Sequence, residues 1–148
     1  MTRAYVEFDP GQPDAPDFDT ETTDLVYFLS WAYSARFGAS HDLSLLARVL
    51  DESFHIDLEP LLTFADREIE APIDAVTLEM AWQEPQPLAA CCEAVTAALR
   101  SGDERLPTVQ TAYPTLADSI EALGRMAWWA AERGCKVRLS YELTNDLS

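Results

Sequence analysis

Apolar and polar residues alternate at both ends of the chain and recur every three to four positions between them. Ala4, Val6 and Phe8 alternate with Tyr5, Glu7 and Asp9, the period-two pattern of a strand with one wet face, and Pro10-Gly11 stops it. Near the other end Val137, Leu139, Tyr141 and Leu143 interleave with Lys136, Arg138, Ser140 and Glu142. Pairing these two strands could set Glu7 and Asp9 opposite Lys136 and Arg138, each cross-strand ion pair being worth ~0.2–1 kcal/mol.

Between the strands the period is helical. Over 24–37, Leu25, Phe28, Leu29 and Ala32 share one side, while Val26, Trp31, Tyr33 and Phe37 spread apolar character round most of the circumference. Only Tyr27, Ser30 and Ser34 form a polar strip, which predicts a helix central in its domain. Thr22 or Thr23 is placed to cap it and Gly38 to end it. A second stripe joins Leu43, Leu46, Ala47, Leu50 and Phe54, with Ser40 placed as its cap. Pro60, Pro72 and Pro87 each follow acids and open a further apolar-periodic segment. The first segment runs to Glu70, the second carries Ile73, Val76 and Met80, and the third carries Leu88, Cys91, Cys92 and Val95 towards Gly102. Pro114 begins the longest helix, in which Leu116, Ile120, Leu123, Ala127 and Ala130 oppose Asp118, Glu121, Arg125 and Glu132 until Gly134 closes it.

Two segments lack periodicity. Residues 10–23 hold three prolines, a glycine and four acids and read as an exposed acidic loop, and 144–148 read as a frayed tail. Around Val109, Thr108 and Thr111 suit a strand that Pro107 and Pro114 confine to an edge. The pattern therefore predicts an α+β fold, predominantly helical. About five to six helices pack on a small sheet of the N- and C-terminal strands, with a place for a third strand near Val109. At 148 residues and 48% hydrophobic composition, the chain fits a single compact domain over 1–148.

Charge changes the picture most over 51–93, where eleven carboxylates face one base, Arg67. This stretch and the acidic N-terminal segment hold the whole excess of a chain with net charge −16. Such a balance disfavours nucleic acid and anionic lipid as direct partners and favours a basic protein. A salt-adapted or GC-rich source would give the same acidity without a partner. The cysteine number, three, is odd and suits a reducing cytoplasm rather than a disulfide framework. Nor does the sequence carry a signal-peptide pattern or an apolar run long enough for a bilayer.

Candidate chemistry is sparse. His41 and His55 are the only histidines and sit in no metal-ligand spacing, so no metal is predicted. Five scattered glycines form no phosphate-cradling loop, and no cofactor is predicted. Cys91 and Cys92 read as core, while Cys135, beside Arg133 and Lys136, is the better thiolate candidate. A dispersed enzyme site would be sought at His55 with Asp57 or Glu59.

What stands above background is a contact surface. Asp66, Glu68, Glu70, Asp74 and Glu79 fall on the wet sides of short helical segments, with Trp82 as an apolar anchor and Trp128 and Trp129 on the shoulders of the longest helix. The expectation is a cytoplasmic, non-enzymatic acidic protein that binds or inhibits a basic partner, as inhibitors and immunity proteins of similar size and charge do. The alternative is an assembly subunit that associates, as a homo-oligomer or with another chain, through Trp31, Trp128, Trp129 and an open strand edge.

Overall fold

A computed structural model describes residues 2–12, 14–19, 21–34, 38, 42–66, 81–101, 106 and 112–143. In chain order the elements are β1 (Thr2–Asp9), α1 (Thr23–Ser34), α2 (Asp42–Glu52), α3 (Glu59–Leu62), β2 (Phe64–Asp66), α4 (Pro85–Leu99), α5 (Leu116–Glu132) and β3 (Lys136–Leu143). The expected α+β, predominantly helical class is found, with the two terminal strands forming the body of the sheet.

The strand order is β1-β3-β2. β1 and β3 pair antiparallel over their whole length, in a register that sets Glu7 opposite Arg138 and Asp9 opposite Lys136. A slip of one residue would turn Val137 and Leu139, both fully buried, off the core face, so the hydrophobic pattern excludes any odd-numbered shift of this register. The third strand is β2, which runs parallel to β3 with Phe64 paired to Leu139. The proposed strand near Val109 lies outside the described residues. Gln83 extends the β2 side of the sheet: it exchanges two backbone hydrogen bonds with Val137, at 2.9 and 3.0 Å. Its side-chain amide donates to the carbonyls of Pro60 (3.0 Å) and Thr63 (3.3 Å), tying the end of α3 to the sheet.

The helical stripes read from the pattern are the buried faces. Leu43, Leu46, Ala47 and Leu50 of α2, Leu88, Cys92, Val95 and Leu99 of α4, and Leu116, Ile120, Leu123 and Ala127 of α5 enter one buried cluster with α1 and β3. α1 packs against β1, α2, α3 and α5, but it is not enclosed all round as its apolar circumference implies: Trp31 and Tyr33 of that circumference are exposed. Among the described residues the most extensive helix pair is α4 against α5. Gly124 permits that approach, because a Cβ there would lie 3.0 Å from the Cβ of Cys92.

Several local expectations change. Thr22 precedes α1 and its carbonyl accepts the Val26 N–H, but its hydroxyl accepts the Ala4 N–H at 3.0 Å. That threonine therefore serves the edge of β1 rather than the helix end. Asp24 in the first turn of α1 accepts hydrogen bonds from the Thr115 hydroxyl (2.7 Å) and amide (3.2 Å), joining the starts of α1 and α5. The helix expected from Pro60 to Glu70 ends at Leu62, because the chain straightens to place Phe64–Asp66 on β3. The third proline-started helix opens at Pro85, two residues before Pro87. The segment after Pro72, the cap at Ser40 and the tail 144–148 lie outside the described residues. Among the described residues, no helix is long and apolar enough to cross a membrane.

Candidate functional site

The acids of 51–93 that the structure brings together are not those picked out by helical periodicity. The chain reverses just beyond α2: the amides of Ser53 and Phe54 both donate to the Val49 carbonyl, and Ile56 donates to that of Leu50. His55 takes a left-handed conformation, φ 56°, which lets the chain turn back towards α3. Asp57 then accepts the Glu59 N–H on its carboxylate at 3.0 Å, anchoring the next helical turn. The result is a groove of about 290 Å³ between α1, α2 and α3. Asp51 and Glu52 border it from the last turn of α2, and Asp57 and Glu59 from the returning chain, with Arg48 as the one base. All four acids are exposed, whereas Ala32, Ala47 and Leu58 beneath them are buried, so carboxylates frame an apolar floor.

The predicted site residues have different fates. Asp66 stands on β2 opposite Tyr141 instead of on a helix surface. Glu68, Glu70, Asp74 and Glu79 lie outside the described residues. Trp82 is not an open anchor: it is half-buried, and the Arg138 guanidinium lies over its ring, 4.4 Å from the centroid. Arg138 also donates from Nε to the Glu7 carboxylate, and that ion pair is only 14% and 18% exposed. The charge opposition expected across β1 and β3 is thus a covered cluster of Glu7, Arg138 and Trp82 rather than a solvated pair.

Trp129 is half-buried, edge-to-face with Phe8 (centroids 5.3 Å apart), and the Arg133 guanidinium lies 3.9 Å from its ring centre. Since Phe8 and Glu7 are neighbours on one strand, Trp129 and Trp82 belong to opposite faces of the sheet. Trp128 alone of these three is exposed, at 40%. The expected tryptophan anchors therefore do not form one surface. α1 instead presents Tyr27, Trp31 and Tyr33, exposed by 50%, 37% and 44%.

Chemistry at the remaining candidates is limited by burial. All three cysteines are unpaired and buried. Desolvation pushes the Cys91 thiol up to about 11, against a smaller lowering by a backbone hydrogen bond from Leu61. Cys92 is raised well above its ordinary value, chiefly by burial and then by the neighbouring Cys91 and Glu93. Both therefore remain thiols at neutral pH. Cys135, favoured as a thiolate from its basic neighbours, is 2% exposed and packs its sulfur against the Pro10 carbonyl. His55, Asp57 and Glu59 are all exposed, and Asp57 is engaged by the Glu59 amide. Among the described residues no three His, Cys, Asp or Glu side chains converge as a metal site.

A second groove, of about 570 Å³, lies between α4 and α5. Arg100 reaches across it to Asp118 (2.6 Å) and to Glu121, and Arg125 pairs with Glu121 at 3.0 Å on the same helix. The Arg100 hydrogen bond, then its charge, holds the Glu121 carboxyl below its ordinary value. Sequence reasoning missed both grooves, since each needs two elements to meet. The available signal for the first was a helix end and a proline-marked helix start only a few residues apart, which forces 51–52 and 57–59 to adjoin. No family model, curated protein or solved structure matches the chain.

Proposed function

We propose that this chain is a non-enzymatic acidic protein that engages a basic protein partner and thereby inhibits or neutralises it. The observation that carries the reading is the groove framed by Asp51, Glu52, Asp57 and Glu59 over an apolar floor. A net charge of −16 steers a basic surface towards the chain. Steered association reaches ~10⁸–10⁹ M⁻¹s⁻¹ at low salt. A groove with a floor of Ala32, Ala47 and Leu58 adds shape and apolar contact, so that a lysine or arginine flanked by an aliphatic side chain is the motif it fits. The wider acidic stretch, including Asp66, Glu68, Glu70, Asp74 and Glu79, contributes to the field. The three unpaired thiols suit a cytoplasmic setting.

The test is affinity capture from the native host at about 50 and about 200 mM salt, a range over which charge screening increases markedly. Wild type is compared with the variant Asp51→Asn, Glu52→Gln, Asp57→Asn, Glu59→Gln. The reading expects a basic protein that is captured at low salt, weakened at the higher salt and lost with the variant. A captured partner that is acidic, or indifferent to both salt and variant, would refute it.

An assembly role is the second reading, favoured by the exposed aromatic residues Tyr27, Trp31 and Tyr33 of α1. It expects an oligomer by light scattering that resists salt and dissociates with Trp31→Ala; a monomer at all concentrations removes it.

A further inference from the structure

Three of the chain's tryptophans meet charge in different ways. Trp82 and Trp129 each carry a guanidinium on the ring, from Arg138 and Arg133. Trp128 is exposed on the α4–α5 groove, and among the described residues no cation lies on its ring. Its indole N–H donates to Glu93 across the groove at 2.6 Å, so the ring is held in place and a carboxylate is fixed at its edge. We propose that this groove is a binding site for a small organic cation with an apolar body, taken up by the face of Trp128 with Glu93 as its counter-ion.

The geometry of the groove fits that class. Its volume of about 570 Å³ lies within the ~300–1,000 Å³ typical of ligand sites. Small residues, Cys92, Ala97 and Gly124, line it between the charged rims and leave room for an alkyl or aryl body. Thr96 also lines the groove, 7% exposed, and among the described residues its buried hydroxyl has no hydrogen-bond partner.

Charge decides between a cation and an anion. Arg100 and Arg125 line the groove, yet Arg100 is engaged by Asp118 and Glu121, and Arg125 by Glu121 with Asp19 at 4.0 Å. Three carboxylates thus answer two guanidiniums before Glu93 is counted. An incoming anion would face an acid excess here and a −16 chain at long range, whereas a cation is favoured by both. An indole is also the best of the aromatic rings for stacking a cation on its face. The groove shares no lining residue with the one between α1, α2 and α3, so this inference stands apart from the partner reading.

The probe is benzyltrimethylammonium, titrated into ¹⁵N-labelled protein while the indole N–H resonances are followed. The one lost in Trp128→Phe is thereby assigned. The expected result is saturable one-to-one binding that moves the Trp128 resonance. Glu93→Gln should weaken it roughly tenfold, as removal of a charged partner does, and Ala97→Phe, at an exposed position on the groove, should block it. Arg133→Gln, outside the groove, should leave it unchanged. Benzyl alcohol, which keeps the ring without the charge, should bind at least about tenfold more weakly. A motionless Trp128 resonance, equal binding of benzyl alcohol or of benzoate, or insensitivity to both Glu93→Gln and Ala97→Phe would each overturn the proposal.

Discussion

The two grooves use acidic side chains in opposite ways. Between α1, α2 and α3, four exposed carboxylates and, among the described residues, one arginine line the groove, so acids outnumber bases there. Between α4 and α5 the acids and bases are interleaved: Asp118, Arg100, Glu121 and Arg125 pair with one another over a close helix contact at Gly124. Charge in excess of its counter-charges acts over about a Debye length and governs encounter, whereas balanced charge fixes local geometry and does little at a distance. The lesson is that the overall acidity of a chain says less about a site than the count of cations interposed among its acids.

The largest effects should come from the apolar core into which α4 and α5 pack. Leu123 is fully buried in α5, so Leu123→Ala should cost ~2–5 kcal/mol in denaturant unfolding. Next is Gly124→Val: an added Cβ would lie 3.0 Å from that of Cys92, so α4 and α5 must separate. The expected cost is ~1–3 kcal/mol, read from the same unfolding curves. If Gly124→Val is neutral, the two helices are not locked as described and the contrast between the grooves weakens.

Smaller effects should come from the charges. The fourfold neutralisation at Asp51, Glu52, Asp57 and Glu59 removes self-repulsion from exposed positions, so it should leave stability within ~0.5 kcal/mol per substitution or raise it slightly. The gain should shrink as salt rises, because screening relieves the same repulsion in wild type; thermal melts at two salt concentrations check it. A loss of stability that persists in salt would mean that these acids hold the groove together rather than project from it. The smallest effect concerns Glu121. Its folded pKa lies below the ordinary 4.5, so its pairing with Arg100 contributes at pH above that value and is lost as pH falls through the lowered one. In Arg100→Gln, the carboxyl resonance of Glu121 should titrate closer to 4.5; an unchanged midpoint would show that Arg100 does not hold it.

These contrasts also show which features a sequence carries locally. β1 and β3 were legible, together with the opposition of two acids to two bases, because eight alternating residues fix which face carries Val137 and Leu139; the individual partners, Glu7 with Arg138 and Asp9 with Lys136, come from the structure. The stripes of α2, α4 and α5 were legible for the same reason, a period long enough to define a face. β2 was not: three residues cannot display a period, and Phe64–Asp66 become a strand only through pairing with β3. Trp82 was misjudged because its acidic neighbours suggest solvent, while its cover, Arg138, comes from far along the chain. The acidic groove depends on a left-handed residue at His55, a conformation that residue type does not announce. Of the acids first singled out, Asp66 lies on a strand, and Glu68, Glu70, Asp74 and Glu79 fall outside the described residues.

The central claim is that the acid-rich groove is the contact surface. The most direct measurement is backbone amide shift mapping of the labelled chain on addition of its captured basic partner. The account predicts that the largest changes fall at 48–52 and 57–62, and that they vanish with the fourfold neutralised variant. Changes confined to the aromatic face of α1, around Tyr27 and Trp31, and unaltered in that variant, would contradict it.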